Sequence, residues 1–366
     1  MRWFVLAVVV AGCATSDDEW TEATDPGIAE LEDAAALDDG IAPADLVSDD
    51  ADPAEVDDDA VIDAPRTYQN AVASNCADPG VIRHGTTFVA ACTGNGFPLF
   101  SSHDLVHWTP ADHLFHASNK PVWGGGDWWA PEIHHIGSGF VAYFAALSPQ
   151  RGKICIGAAR ASSLAGPWTD LGHPLACDRH VSLIDPHVFT GSDGRHFLYY
   201  KTDGNGLHPQ EPTVIFGHEL TADGVHFVGK RHHLIQNTLA WEGDVVEAPW
   251  VKQRGGYYYL FYSGFRYCNG TYGVGVARAR SPLGPFTKRS APILHSNATW
   301  TGPGHNSVVS TGGHDYIVYH AWHGAHQCGD AGNRELMLDR ITWRGGWPFV
   351  NSGSPGRGPQ PVPQVP

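Results

Sequence analysis

The chain has 366 residues, with 39 acidic against 23 basic side chains and a formal charge of −16, and 42% of it is hydrophobic. Forty-three glycines and twenty-six prolines exclude a helical bundle and suit a protein of strands and turns. No run after the N-terminus approaches the ~20 apolar residues of a membrane-spanning helix.

Residues 1–13 carry Arg2, a short apolar run from Trp3 to Ala11, and then Gly12-Cys13, the layout of a bacterial export signal. Val10-Ala11-Gly12-Cys13 resembles a lipoprotein processing box, in which Cys13 becomes the acylated N-terminus. An ordinary cleaved signal is the competing reading. Residues 14–65 form the next segment, and between Asp17 and Pro65 lie nineteen Asp or Glu and no Lys or Arg. Such composition cannot bury enough apolar surface to offset ordering, so a disordered, self-repelling linker is expected. From Arg66 onward twenty acids face twenty-two Lys plus Arg. The net charge therefore belongs to the linker, and a near-neutral globular part gives no electrostatic case for nucleic acid.

Strand-like runs then recur at a fixed place: Phe88 to Thr93, Phe140 to Leu147, His196 to Lys201, Tyr257 to Ser263 and Tyr316 to Trp322. Each follows a Gly-containing turn, and before each turn lies a short apolar strand begun by Pro79, Pro131, Pro186, Pro249 or Pro303. A third strand follows, such as Ile154 to Ala161 or Val274 to Ala279. A short closing segment comes last, such as Pro167-Trp168-Thr169 or His226-Phe227-Val228. Four strands repeated five times predict an all-β, five-bladed β-propeller over 66–351, with four-stranded antiparallel blades around a central channel. A β-sandwich is the alternative that the spacing of about fifty to sixty residues disfavours. Residues 352–366 read as a Pro- and Gly-rich tail.

Six cysteines remain after Cys13, and an even count in an exported chain favours disulfides, although fifteen pairings are open. Cys76 and Cys92 lie symmetrically about the His84-Gly85 turn. Cys268 and Cys328 follow the same strand in successive repeats, which leaves Cys155 with Cys177. Free buried thiols are the competing reading.

Three acids stand at the openings of three repeats: Asp78 before Pro79, Asp185 before Pro186, and Glu247 in Val246-Glu247-Ala248-Pro249. A single Asp-Pro is more often a turn former than a catalyst. Three acids at what read as matching positions of a fivefold repeat are expected to meet at one mouth of the channel. Of Trp123, Trp128 and Trp129, one is expected to offer a flat face to a sugar ring and two to pack in the fold. His320, His323 and His326 tempt a zinc assignment but lack a helical His-Glu-x-x-His context, and read as surface or hydrogen-bonded histidines.

From Asn75 to Val350 the chain resembles glycoside hydrolase family 43, the five-bladed arabinanases, arabinofuranosidases and xylosidases. The resemblance rests on Ala77-Asp78-Pro79, Trp129-Ala130-Pro131-Glu132, Ile184-Asp185-Pro186, Val246-Glu247-Ala248-Pro249, Gly302-Pro303-Gly304-His305-Asn306-Ser307 and Gly346-Trp347-Pro348. It implies an inverting glycosidase in which Asp78 is the general base, Glu247 the general acid and Asp185 the residue that orients the acid and tunes its pKa. It further implies that Arg334 contacts the sugar beside Trp129 or Trp123. His305 would lie on the axis, where it helps hold a calcium ion mostly through water, although the chemistry itself requires no cofactor. The expected substrate is an arabinose- or xylose-containing plant polysaccharide or oligosaccharide, with arabinan favoured. The expected protein is monomeric, touching membrane only through its lipid. A β-xylosidase and an inactive glycan-binding propeller are the alternatives. A sucrose or fructan enzyme would want Arg-Asp-Pro and Glu-Cys where Ile184-Asp185-Pro186 and Glu247-Ala248 stand.

Overall fold

The computed structural model describes residues 66–366; the expected signal segment with Cys13 and the acidic linker lie outside the described residues. Two short 3₁₀ turns, Gly204–Gly206 and Ala240–Glu242, are the only helical structure among them. Twenty of the strands form five antiparallel blades of four consecutive strands. Blade 1 comprises Gly80–His84, Thr87–Ala91, Pro98–Ser102 and Thr109–His113. Blade 2 comprises Gly126–Ile136, Gly139–Ser148, Lys153–Ala161 and Thr169–Asp170. Blade 3 comprises Leu183–Thr190, His196–Thr202, Val214–Leu220 and Phe227–Gln236. Blade 4 comprises Val246–Arg254, Tyr257–Gly264, Gly273–Ala279 and Thr287–Lys288, with Leu294–His295 also pairing its third strand. Blade 5 comprises Trp300–Thr311, His314–His323, Arg334–Arg344 and Trp347–Val350. The first strand of each blade lies against the first strands of both neighbours, which closes the ring.

Each sheet is covered on both faces by adjacent blades, so its middle strands are near-continuous apolar runs rather than alternating ones. Gly139–Ser148 is buried along most of its length. The hydrophobic core is accordingly divided into one main cluster per blade interface. Phe97, Phe144 and Trp123 fill the gap between blades 1 and 2, Val141, Tyr143 and Leu198 that between 2 and 3, and Tyr199, Leu260 and Tyr262 that between 3 and 4. Phe261, Ile317 and Met337 fill the next, and Phe88, Val318 and Leu338 the last.

The prolines expected to begin the first strands do so only in blade 1. In blades 2 to 5 the strand starts several residues earlier. In blades 2 to 4 the proline falls inside a bulge where the register to the second strand shifts, between Trp129 and Glu132, Ile184 and His187, and Glu247 and Trp250. In blade 5 the matching bulge between Gly304 and Ser307 holds Asn306, and Pro303 lies in a separate shift between Thr301 and Gly304. A bulge leaves one residue without a ladder bond, which is where a residue lacking an N–H is tolerated. The residue before the bulge proline has a left-handed backbone: Asp78, Ala130, Asp185 and Ala248 have φ of 53°, 47°, 55° and 53°, and His305 at the same place in blade 5 has 48°. Five non-glycine residues share this uncommon conformation.

The disulfides are Cys76–Cys92, Cys155–Cys177 and Cys268–Cys328, as the spacing suggested. The first two act within or beside blades 1 and 2, and the third ties the loops after the second strands of blades 4 and 5. The C-terminal residues do not form a separate tail. Gln360–Pro361 pairs antiparallel with Thr67–Tyr68, and Thr311 Oγ1 and an Arg83 Nη donate to the carbonyls of Gln364 and Pro366.

Candidate active site

The five left-handed residues ring one mouth of the channel, onto which opens a cavity of about 290 Å³ lined by Asp78, Trp129, Ile184, Asp185, Lys201, Asp203, Asn205, Glu247, Tyr267, His305 and Arg334. The three acids expected to converge do converge. Their backbone positions are nevertheless not all equivalent. Asp78 and Asp185 occupy the left-handed bulge residue, whereas in blade 4 that residue is Ala248 and Glu247 stands one place earlier. Ala77, Trp129, Ile184 and Gly304 are its counterparts. Two adjacent positions of the repeat thus feed the pocket: one supplies Asp78, Asp185 and His305, the other Trp129, Ile184 and Glu247.

A third position supports both, and it lies across the ladder on the second strands. The residues opposite the Glu247 position are Thr93, Ala145, Lys201, Ser263 and His320. Four of them reach into the following blade. Thr93 Oγ1 accepts from the Ala130 N–H at 2.8 Å and donates to Asp78 Oδ2 at 2.6 Å. Ser263 Oγ accepts from the His305 N–H at 2.8 Å, and His320 Nδ1 accepts from the Asp78 N–H at 3.2 Å. Lys201 Nζ donates to Glu247 Oε2 at 2.9 Å and lies 3.0 Å from Asp203. The bulge residue Asp185 itself accepts from the Ala248 N–H at 3.0 Å. Four of the five left-handed residues, Asp78, Ala130, Ala248 and His305, thereby have their amides satisfied from the preceding blade, as buried donors require.

Charge is distributed unevenly across the pocket. Burial opposes ionisation of Asp78, but Arg334, whose Nη1 donates to Oδ1 at 2.6 Å, together with His305 and His320 holds this carboxyl well below the usual range. Burial pushes the His320 imidazole down to about 4, so it is neutral and free to accept at Nδ1. Asp185 is raised to about 6, chiefly by burial, with the neighbouring Glu247 charge adding to the effect and His305 and Lys201 opposing it. Glu247 receives a second donor, Tyr272 Oη at 2.8 Å from Oε1. The Tyr272 ring stacks parallel to His320 and lies against Gly304, where a Cβ would land inside the ring.

Of the tryptophans, Trp129 faces the pocket, while Trp123 does not. Trp123 is buried in the cluster between blades 1 and 2, stacked on Phe144, with Nε1 donating to Asp170. Trp128 packs against the same cluster. Arg334 lines the cavity and spends one guanidinium nitrogen on Asp78. Among the three histidines first read together, only His320 belongs to the site; His326 stacks on Trp322, and His323 is exposed. Lys201, Tyr272 and Thr93 were not singled out from the sequence, and His320 was read only as a surface or hydrogen-bonded histidine. The signal existed: Thr93, Lys201 and Ser263 each end one of the repeated Val/Phe/Tyr-rich runs, in one column of the repeat.

Comparison with known proteins agrees with this arrangement. The family model for glycosyl hydrolases family 43 matches residues 68–348. An extracellular exo-α-(1→5)-L-arabinofuranosidase of Cellvibrio japonicus is 27% identical over 304 residues, covering 75% of this chain and 86% of that protein. A β-D-galactofuranosidase of Aspergillus niger is 34% identical over 236 residues, 61% of this chain and 65% of its own. A thermostable family-43 glycoside hydrolase of known structure superposes with a TM-score of 0.75 at 31% identity, over 82% of this chain and all of that one. With a matching family model across the whole propeller, the chain belongs to glycosyl hydrolase family 43 and is a glycoside hydrolase.

Proposed function

We propose that this protein is an inverting, exo-acting α-L-arabinofuranosidase directed at arabinan side chains or chain ends, with Asp78 as general base, Glu247 as general acid and Asp185 as the residue that tunes the acid. The observation that carries the reading is the gathering of these three acids with Trp129 and Arg334 in one cavity at the propeller mouth. Its volume lies at the small end for ligand pockets, which suits one sugar ring at a chain end better than an internal stretch of polymer. The ion pair with Arg334 keeps Asp78 ionised, the state a base needs to activate water. Asp185, raised to about 6 chiefly by burial and further by the Glu247 charge beside it, is a carboxyl able to exchange a proton close to neutral pH, as the tuning role requires. Lys201 and Tyr272 fix both oxygens of Glu247, so a substrate's leaving oxygen would meet a carboxyl already aimed.

An axial calcium ion fits the same frame as a structural element. His305 would hold it, mostly through water, because calcium takes six to eight oxygen ligands and the imidazole lies within the fields of Asp78, Asp185 and Glu132. The ion would supply positive charge on the axis. Export is supported by three disulfides and by the likeness to the extracellular Cellvibrio enzyme. Cys13 is proposed to carry the lipid, in which case Cys13→Ser moves the protein from the membrane fraction to the medium. The chain is proposed to act as a monomer.

The test is Glu247→Ala against wild type on nitrophenyl α-L-arabinofuranoside, β-D-xyloside and β-D-galactofuranoside, with linear and branched arabinan beside them. Loss of sugar release with retained binding is expected, and the first sugar released by wild type should carry the inverted anomer. The galactofuranoside belongs in the panel because its ring has the same configuration as the arabinofuranoside and differs by a longer exocyclic arm. Preference for the xyloside would replace the arabinose reading with the xylosidase one. If wild type hydrolyses none of them, the propeller acts as a glycan-binding module.

A further inference from the structure

Deeper along the channel, on the side of Glu132 away from the acids, two more first-strand side chains meet. Glu132 and His134 project from the first strand of blade 2, and His187 from that of blade 3. Glu132 Oε2 lies 2.8 Å from His134 Nε2 and 2.8 Å from His187 Nδ1. The three ligand-type atoms all fall within 4.8 Å of one another. His134 and His187 also line a second cavity, about 470 Å³, bounded by Trp250, Val251 and Lys252. The glycosidase chemistry uses none of these residues.

The hydrogen bonding of this cluster is incomplete without a further positive centre. If neutral His134 and His187 both donate to the one carboxylate oxygen, the His187 proton sits on Nδ1. His187 Nε2 is then a bare lone pair. That nitrogen is buried and makes no hydrogen bond of good geometry, although the backbone acceptor facing the ring is Val251. A cation at the meeting point reverses this. It takes the place of both protons at Nδ1 and Nε2, moves the His187 proton to its other nitrogen, and lets that N–H donate to the Val251 backbone. An outer N–H given to a backbone carbonyl is the usual support of a metal-bound imidazole.

We infer that Glu132, His134 and His187 form a binding site for a divalent transition-metal ion, zinc in particular, that pins the adjacent first strands of blades 2 and 3 together beside the channel. Two imidazoles and one carboxylate are a donor set for zinc and its neighbours, with water from the second cavity completing a tetrahedron. Zinc–nitrogen and zinc–oxygen bonds of about 2.0–2.2 Å put tetrahedral ligand atoms a little over 3 Å apart, so the 2.8 Å contacts need only small outward shifts. Calcium, which wants oxygen, is a poor match here. The site is distinct from the axial position beside His305.

The experiment uses the full purified chain, stripped with chelator and dialysed at neutral pH. Zinc chloride is titrated by calorimetry, and cobalt(II) by visible absorption. Expected are one tight zinc per chain, a cobalt spectrum of four- or five-coordinate type displaced by zinc but not by calcium, and a raised melting temperature. His134→Asn, at the half-open edge of the cluster, should weaken zinc by more than about 100-fold, beyond the loss of an outer-shell partner, and abolish the cobalt bands. Glu132→Gln, which keeps a hydrogen-bonding group, should do the same. Zinc binding that is unchanged in both variants would locate it on other histidines and overturn the inference. So would wild-type protein that binds no stoichiometric zinc, since a proton on Glu132 Oε2 would then complete the same hydrogen bonds. A variant that fails to fold leaves the wild-type cobalt spectrum and calcium competition to decide.

Discussion

At the level of single residues, the pocket depends on side chains that come from outside the acids' own strands. Lys201 is fully buried between Glu247 and Asp203, and burial without those partners would oppose its charge. Lys201→Met should leave two carboxylates without their cation and misaim Glu247. A fall in kcat of about 10²–10³ is expected from losing a preorganised charged donor, with KM less affected, as initial rates on an aryl arabinofuranoside would read. Gly304 carries a second constraint. A Cβ there enters the Tyr272 ring, so Gly304→Ala should push Tyr272 off Glu247 and cost at least about tenfold in kcat, since small misplacements of a positioned group are expensive. Unchanged kcat in Gly304→Ala would mean that Tyr272 does not position the acid. The acids themselves were legible in the sequence because Asp-Pro and Glu-x-Pro punctuate the repeat. Their one-residue offset was not, because only the backbone sign of φ separates Ala248 from Glu247 as the counterpart of Asp78. Trp123 misled for a related reason: a tryptophan beside a strand looks alike whether it turns to the channel or to the next blade.

At the level of elements, blades are joined by more than apolar contact. Asp315, near the start of the second strand of blade 5, accepts from Ser310 Oγ at 2.7 Å and Trp343 Nε1 at 2.9 Å, and lies 3.0 Å from Lys252 Nζ and 3.5 Å from Arg254 Nη1 on the first strand of blade 4. Burial works to raise this carboxyl, but the Ser310 hydrogen bond and Lys252 win and lower it. A carboxyl depressed in the folded state stabilises above its unfolded pKa and loses that contribution as pH falls through the folded one. Asp315→Asn should therefore cost about 1–3 kcal/mol at pH 7, the range for a charged hydrogen bond. The gap to wild type in urea unfolding should close as pH falls below about 4. A gap independent of pH would mean that shape rather than charge joins these blades. Strand identity was readable from the sequence here, since Tyr257 to Ser263 and Tyr316 to Trp322 were located nearly to the residue. The closing strands were not: the segment placed at His226 to Val228 extends to Gln236. An outer strand is paired on one side only and carries a weak apolar pattern, so the sequence marks its start and not its length.

At the level of the whole molecule, every blade is made of consecutive strands, so no strand is shared across the junction of blades 5 and 1. The ring is closed there by the segment before blade 1. The Val72 N–H donates to the Leu336 carbonyl and the Cys76 N–H to that of Arg334, while Asn70 is bonded to Asp339 and to the Leu338 N–H. The C-terminal pairing of Thr67–Tyr68 with Gln360–Pro361 clamps this segment from outside. Ser307 Oγ bridges the Val81 N–H and the Pro79 carbonyl inside. None of the three disulfides crosses this seam, although Cys268–Cys328 ties blade 4 to blade 5. The seam also runs through the pocket, because Asp78 comes from blade 1 while Arg334, His305 and His320 come from blade 5. The one junction that no chain connection spans and the ion pair on the proposed base are thus the same place, and local opening there should cost less than global unfolding. Removing residues 356–366, which takes away the clamp and the Gly356 contact to Asp339, should lower the urea midpoint for loss of activity well below the midpoint for loss of tryptophan fluorescence, whereas wild type should lose both nearly together. The disulfide between blades 4 and 5 makes the direction specific: its reduction should move the fluorescence midpoint without separating the two curves. Coincident midpoints in the truncated chain would mean that the five interface clusters alone hold the ring shut.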